Sequence, residues 1–142
     1  DIRFNSIHVQ TMIQHVLKRG KKSTATRLIY DAMEMIQERT QKNPLEVFDG
    51  AIKNVGPIME VRPRRVGGAT YQVPMEVSSD RRMTLAIRWI LSAAHERAGK
   101  SFADKLASEL IDSFNETGTA IRKRDETHKM AEANRAFSHY RI

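Results

Sequence analysis

Residues 58–77 read IMEVRPRRVGGATYQVPMEV, and their periodicity differs from that of the rest of the chain. Apolar and polar residues alternate on both sides of Gly67-Gly68, which is typical of two strands. The two glycines can supply the positive φ angles of a tight turn, so the stretch predicts a β-hairpin. Pro63 and Pro74 each remove a hydrogen-bond donor, so neither strand is expected in the middle of a sheet. Because a two-stranded ribbon is marginal in water, we expect it to lean on helices or on a partner.

The segments on either side of the hairpin have helical periodicity. Apolar side chains recur there every three or four residues, which predicts six amphipathic helices. The predicted helices cover about 6–19, 22–41, 44–55, 80–97, 102–117 and 120–137. Asn43 before Pro44, and Ser101 three residues before Asp104, are typical N-terminal caps of the third and fifth helices.

The last predicted helix is the least apolar, with mainly Ile121, Met130, Ala133 and Phe137 to bury. The chain contains no internal repeat, low-complexity tract or linker, and 142 residues favour one domain over two separate cores. The sequence therefore predicts a mainly α single domain over residues 1–142. About six helices form it, and a two-stranded β-hairpin, 58–77, protrudes between the third and fourth helices.

The composition favours a polyanionic partner. Lys and Arg number 24 against 17 Asp and Glu, a formal net charge of +7, and such an excess is typical of proteins that bind nucleic acid or an anionic surface. The chain has no cysteine, which excludes disulfides, a thiolate nucleophile and Cys-ligated zinc. No apolar run approaches the roughly 18 to 20 residues of a membrane span.

Positive side chains are concentrated after the first helix, in the hairpin, on the fourth helix and from the last helix onward. Between the last two groups, residues 101–118 hold one basic and four acidic side chains, so the positive charge is gathered on selected surfaces. A solvated surface would explain any one cluster, but arginine also pairs phosphates bidentately and stacks on unpaired bases. The predicted nucleic-acid-binding cations are Lys18, Arg19, Lys21, Lys22, Arg62, Arg64, Arg65, Arg81, Arg82, Arg88, Arg122, Lys123, Arg124, Lys129, Arg135 and Arg141.

The start of the last helix carries an unusual charge. Arg122, Lys123 and Arg124 lie where the helix dipole is already positive, which is unfavourable in isolation. The arrangement becomes favourable when a phosphate occupies the helix end. We interpret it as a binding feature.

Aromatic and histidine side chains allow two further interpretations. Tyr71 either packs under the ribbon or stacks on RNA, and we count it among the predicted binding residues. Trp89 lies in a widely apolar helix and is expected to pack. His128 and Glu132 share a helical face, but a metal site needs a third ligand and no HExxH pattern supplies one. Without a Ser/His/Asp set or a nucleotide-binding loop, we expect no catalysis, cofactor or metal.

Two other classes of function fit the charge less well. A DNA-binding helical regulator could use the hairpin as a wing, but it needs a recognition helix and usually a dimer. The basic helices have no clear helix-turn-helix partner, and no additional apolar stripe remains for a dimer. A protein resting on an anionic membrane would expose Trp and Phe opposite its charges, whereas here they lie in the predicted core stripes.

Three motifs resemble one protein family. They are GKKSTA at 20–25, RRVGGATYQVP at 64–74, and GTA at 118–120 followed by HKMAEANRAF at 128–137 and HYR at 139–141. In this order and spacing, over nearly the whole chain, they resemble the bacterial-type small-subunit ribosomal protein seven family. Its members are helical domains with an extended β-hairpin between the third and fourth helices, as the periodicity predicts.

The resemblance implies a structural role in the ribosome. Such proteins bind the 3′ major domain of small-subunit ribosomal RNA and nucleate assembly of the subunit head. They lie near the exit-site tRNA and the mRNA exit path. The implied partners are this RNA, the nearby tRNA and mRNA, and neighbouring small-subunit ribosomal proteins of head and platform, with no membrane and no small-molecule substrate. The implied location is the cytoplasmic ribosome, although an organellar ribosome would fit equally.

Position by position, the motifs imply RNA contacts at Lys21, Lys22, Arg64, Arg65, Lys129 and Arg135. The family usually begins with a basic arm ahead of the position that matches Asp1. We expect this chain to lack it, so no contact is assigned to such an arm.

Overall fold

The computed structural model describes residues 6–17 and 22–140. Within them lie six α-helices: α1 Ile7–Leu17, α2 Lys22–Thr40, α3 Pro44–Val55, α4 Ser79–Glu96, α5 Phe102–Phe114 and α6 Thr119–Ala133. The strands β1 Met59–Val66 and β2 Ala69–Glu76 separate α3 from α4, and a 3₁₀ helix, Arg135–Tyr140, follows α6. The predicted mainly α fold, with its hairpin between the third and fourth helices, is confirmed.

Local capping residues explain where α3 and α5 begin. The Asn43 side chain accepts a hydrogen bond from the Leu45 N–H at 2.9 Å. The Ser101 hydroxyl accepts one from the Asp104 N–H at 3.1 Å. Each satisfies a backbone donor that a helix start leaves unpaired, and both predicted caps are confirmed.

The hairpin turns at its two glycines. Gly67 and Gly68 have φ angles of 58° and 86°, which residues with a Cβ rarely adopt. The antiparallel register places Arg64 opposite Tyr71. Because side chains alternate along a strand, Arg62 and Arg64 share one ribbon face with Tyr71, as predicted for the two arginines.

The helices pack around α5, which contacts α2, α3, α4 and α6. The core contains fully buried side chains from each of the central helices, among them Ile36, Phe48, Ile87, Leu106 and Leu110. Trp89 is half-buried against this core, as predicted. No helix among the described residues is long and apolar enough to cross a membrane.

The end of α6 differs from the prediction. The helix ends at Ala133 rather than at about residue 137, and Asn134 folds its side chain back onto the Met130 carbonyl at 2.8 Å. Met130 is 54% exposed and Ala133 is also exposed, so their predicted burial is wrong. The helix meets its neighbours through the small face of Ala120, Ile121 and Ala131, which needs fewer large side chains than the sequence pattern assumed.

The ribbon leans on the last helical elements. It contacts α6, and β2 also contacts the 3₁₀ helix. There the rings of Tyr71 and Phe137 pack with centroids 5.1 Å apart. Tyr71 therefore packs on the 3₁₀ helix, and its contact with RNA stays a prediction. The packing meets the expectation that the ribbon needs support.

We expect Phe48→Ala to lower the free energy of unfolding by about 3 to 5 kcal/mol, because it leaves a cavity in a closely packed core. Phe137→Ala is the matched control, since its ring is only half-buried on the ribbon and should cost less. Urea denaturation followed by circular dichroism measures both. Equal losses would mean that the helical body is not the main source of stability.

Candidate nucleic-acid interface

At the root of the ribbon, β1 contacts α6, which also contacts α3 and α4. The Ile58 N–H donates a hydrogen bond to Nε2 of His128 on α6 at 2.9 Å, and the Val77 N–H donates to the Ile58 carbonyl at 2.9 Å. Since Nε2 is the acceptor, the neutral ring carries its proton on Nδ1. Burial lowers the pKa of His128, and the positive charge of Arg124 lowers it further.

Arg81 joins the start of α4 to the ribbon. Its Nε and Nη2 donate to the two carboxylate oxygens of Glu60 at 2.6 and 3.0 Å. This hydrogen bonding raises the pKa of Arg81 above its usual value. The fork geometry makes the pair a directional contact between helix and strand, so this predicted RNA ligand is engaged by the protein's own carboxylate.

Arg124 joins α6 to the end of α3. Its guanidinium donates to the Asn54 carbonyl at 2.8 Å and also contacts Asp125 at 2.8 Å and Glu116 at 3.2 Å. Burial acts to lower the pKa of Arg124, but its hydrogen bonds to the two carboxylates outweigh burial and raise it. The side chain is 19% exposed, which leaves little of it for a ligand.

A buried carboxylate occupies the start of α6. Gly118, with φ +94°, has no side chain to cap the helix. Glu109 of α5 is fully buried and accepts the Ala120 N–H at 3.2 Å. Its other oxygen accepts from Arg97 at 2.9 Å, and Arg97 also donates to Asp112 at 2.9 Å. The positive end of the α6 dipole therefore already faces a negative charge, and the basic start of this helix does not need a phosphate to offset it.

The predicted cations that remain exposed lie on the ribbon, on α4, along α6 and at the start of the 3₁₀ helix. Arg62 is 3.8 Å from Glu60 and Arg135 is 3.0 Å from Glu132, yet their side chains remain 51% and 78% exposed. Among the described residues, seven of the predicted cations are exposed: Arg62, Arg65, Arg88, Arg122, Lys123, Lys129 and Arg135.

Two other predicted cations are half-buried in the ribbon and at its root. Within the described part of the chain, the buried Nε atoms of Arg64 and Arg82 have no hydrogen-bond partner. The Arg82 Nη2 group approaches the Gly56 carbonyl at 3.5 Å. Their stems therefore contribute to packing as well as charge.

The remaining predicted cations fall on parts of the chain outside the described residues. Lys18, Arg19, Lys21 and Arg141 lie outside the described residues, as does the side chain of Lys22.

The histidine and carboxylate pairs form no metal cluster. His128 and Glu132 line one cleft, as their helical spacing predicts, and His8 instead contacts Asp49 at 2.8 Å. Over residues 6–17 and 22–140, no group of three or more His, Asp or Glu side chains could hold a metal ion.

Sequence reasoning missed the roles of Glu60, Glu109 and His128. One local signal existed for Glu109, because it lies on the same side of α5 as buried Leu106 and Leu110, where an unpaired acid is rare. The partners of Glu60 and His128 lie 21 and 70 residues away, so no local pattern could reveal them.

Comparison with known proteins identifies close relatives. The family described as ribosomal protein S7p/S5e matches residues 1–135. Proteins named small ribosomal subunit protein uS7 are similar over nearly the full length. The protein from Acaryochloris marina is 59% identical over 97% of this chain and 88% of its own. That from Arthrospira platensis is 56% identical over 99% and 90%, and that from Thermomicrobium roseum is 55% identical over the same shares.

We expect Glu109→Ala to lower the free energy of unfolding by about 1 to 3 kcal/mol, because it leaves the buried Ala120 N–H without an acceptor. Arg97 keeps its second carboxylate, Asp112. Glu116→Ala is the matched control. It removes a 61% exposed partner of Arg124 and should cost no more than about 1 kcal/mol. Chemical denaturation of both variants measures the difference, and similar losses would contradict the capping role of Glu109.

His128 should make stability depend on pH. Its pKa in the fold lies below the usual 6.5, so the unfolded chain binds this proton more readily. The free energy of unfolding should therefore fall as pH drops below about 6.5, and the loss should be complete below the lowered pKa. His128→Gln should lack this component. If the free energies of unfolding of the two proteins changed in parallel between pH 8 and 5, this contribution of His128 would be excluded.

Proposed function

Because the chain belongs to the ribosomal protein S7p/S5e family, we propose that it binds the 3′ major domain of small-subunit ribosomal RNA and nucleates assembly of the subunit head. It is a structural, non-enzymatic, RNA-binding protein of the small ribosomal subunit. In the proposed setting, the ribbon lies near the exit-site tRNA and the mRNA exit path, and ribosomal proteins of head and platform are the neighbours.

The observation that carries the proposal is the distribution of exposed cations. Near α5, Arg39 is paired with Asp104 and Arg97 with two carboxylates. On the ribbon, α4, α6 and the start of the 3₁₀ helix, seven predicted cations of the described chain are exposed. Folded RNA presents phosphates and 2′-hydroxyls on an irregular surface, and several basic faces can meet it at once. Family membership also favours RNA over the DNA-binding alternative.

Binding should be strongly dependent on salt. If the seven exposed cations each neutralise a phosphate, log K should fall with log salt with a slope of roughly −5 to −6. Titration of a labelled 3′ major-domain RNA at 50 to 300 mM KCl measures the slope. An equal mass of duplex DNA is the competitor. A nearly flat salt dependence, or a preference for the duplex, would overturn the proposal.

Two variants test whether this surface, rather than the net charge of the protein, drives RNA binding. Lys123→Gln removes an exposed cation of α6 and should reduce the salt slope by about 1 while weakening binding at every salt concentration. Lys100→Gln removes an exposed cation beside the acidic α5 and should leave both quantities nearly unchanged. Equal effects would mean that net charge, rather than this surface, drives binding.

A further inference from the structure

A cleft of about 440 Å³ lies between the root of the ribbon and the end of α6. Met59 and Pro74 line it from the ribbon, and Ile58, which is 58% exposed, lies at the root. Ala131 of α6 faces them. The strand register puts Met59 and Pro74 on the ribbon face opposite to that of Arg62. These walls are apolar, and the volume of the cleft is typical of a small-ligand site.

The polar lining of the cleft is balanced in charge. Glu132 and Arg135 both line it and lie 3.0 Å apart. His128 supplies an imidazole whose Nε2 already accepts the Ile58 N–H, and Ser138 supplies a hydroxyl. A phosphate in the cleft would have to compete with Glu132 for the guanidinium of Arg135. A neutral planar group would instead meet apolar walls and several donors and acceptors.

We propose that this cleft receives one unstacked nucleobase of the bound RNA, an inference that rests on the proposed function. Single-stranded and bulged RNA is read through bases that leave the stack and enter protein pockets. Glu132 can accept from an exocyclic amino group, and Arg135 can donate to a base carbonyl.

Charge around the cleft favours RNA over a protein side chain. Arg135 lines the cleft and its side chain is 78% exposed. Lys129 is exposed and follows His128 directly on α6. Two exposed cations beside a cleft with apolar walls match a base that is flanked by phosphates.

Methyl resonances of the wild-type protein test the proposal. Protein labelled with ¹³C-methyl methionine is titrated with each of the four nucleoside 5′-monophosphates, with ribose 5-phosphate and with N-acetyl-leucine amide. We expect saturable shifts of the Met59 methyl with at least one nucleotide and none with ribose 5-phosphate. Met130 is 54% exposed outside the lining, and Met33 is fully buried in the core, so both should stay unshifted.

Three outcomes would overturn the proposal. They are no shift of Met59 with any nucleotide, an equal shift with ribose 5-phosphate, and a shift with N-acetyl-leucine amide alone. The first would show that no base enters the cleft. The second would show a phosphate site, and the third would show a site for a protein side chain.

A blocking variant relates the cleft to RNA binding. Ser138→Phe should fill the cleft, abolish the Met59 response and weaken binding of the 3′ major-domain RNA roughly fivefold or more, as expected for one lost base contact. Ser138→Ala keeps the cleft open and should leave affinity nearly unchanged. An unshifted Met33 methyl verifies the fold of each variant. If Ser138→Phe leaves the affinity for RNA unchanged, the role of the cleft in RNA binding is overturned. If the variant binds more weakly but keeps the steep salt slope, the proposed function still stands.

Discussion

The carboxylate of Glu109 is the charge around which the last three helices are arranged. It is fully buried, and it accepts hydrogen bonds from the guanidinium of Arg97, just after α4, and from the Ala120 N–H at the start of α6. Removing such a charge from water costs several kcal/mol unless it is paired and hydrogen-bonded. The ends of these helices are therefore restricted to positions that satisfy it. Gly118 fits this constraint, because a Cβ there would lie 3.0 Å from a Glu109 oxygen.

The position of α6 in turn supports the ribbon. Two strands alone bury too little surface to be stable, and here α6 and the 3₁₀ helix supply the missing contacts. The hydrogen bond between Ile58 and His128 and the ion pair between Glu60 and Arg81 hold the root from two helices. A change at Glu109 should therefore reach the ribbon, although no strand residue touches that carboxylate within the described contacts.

The basic side chains divide into two groups by how far the protein encloses and pairs them. Arg81, Arg97 and Arg124 are engaged by carboxylates of the protein and connect one element to another. Other cations, such as Arg65 and Lys123, are exposed to solvent. Both kinds occur in the same sequence clusters, since Arg124 directly follows Lys123. A count of cations along the chain therefore overstates the surface that remains for RNA, and only burial and pairing separate the two groups.

The sequence by itself determined the helices, two of their caps, the glycine turn and the preference for a polyanionic partner. These features depend on periodicity, turn chemistry and composition, which act over a few residues or over the whole chain. Tertiary structure alone decided which side of α6 is buried and which cations are paired with carboxylates of the protein. Arg124 meets the Asn54 carbonyl across 70 residues of chain, and Arg81 meets Glu60 across 21. Pairing at such separations depends on how helices pack against each other, and no local pattern of residues encodes it.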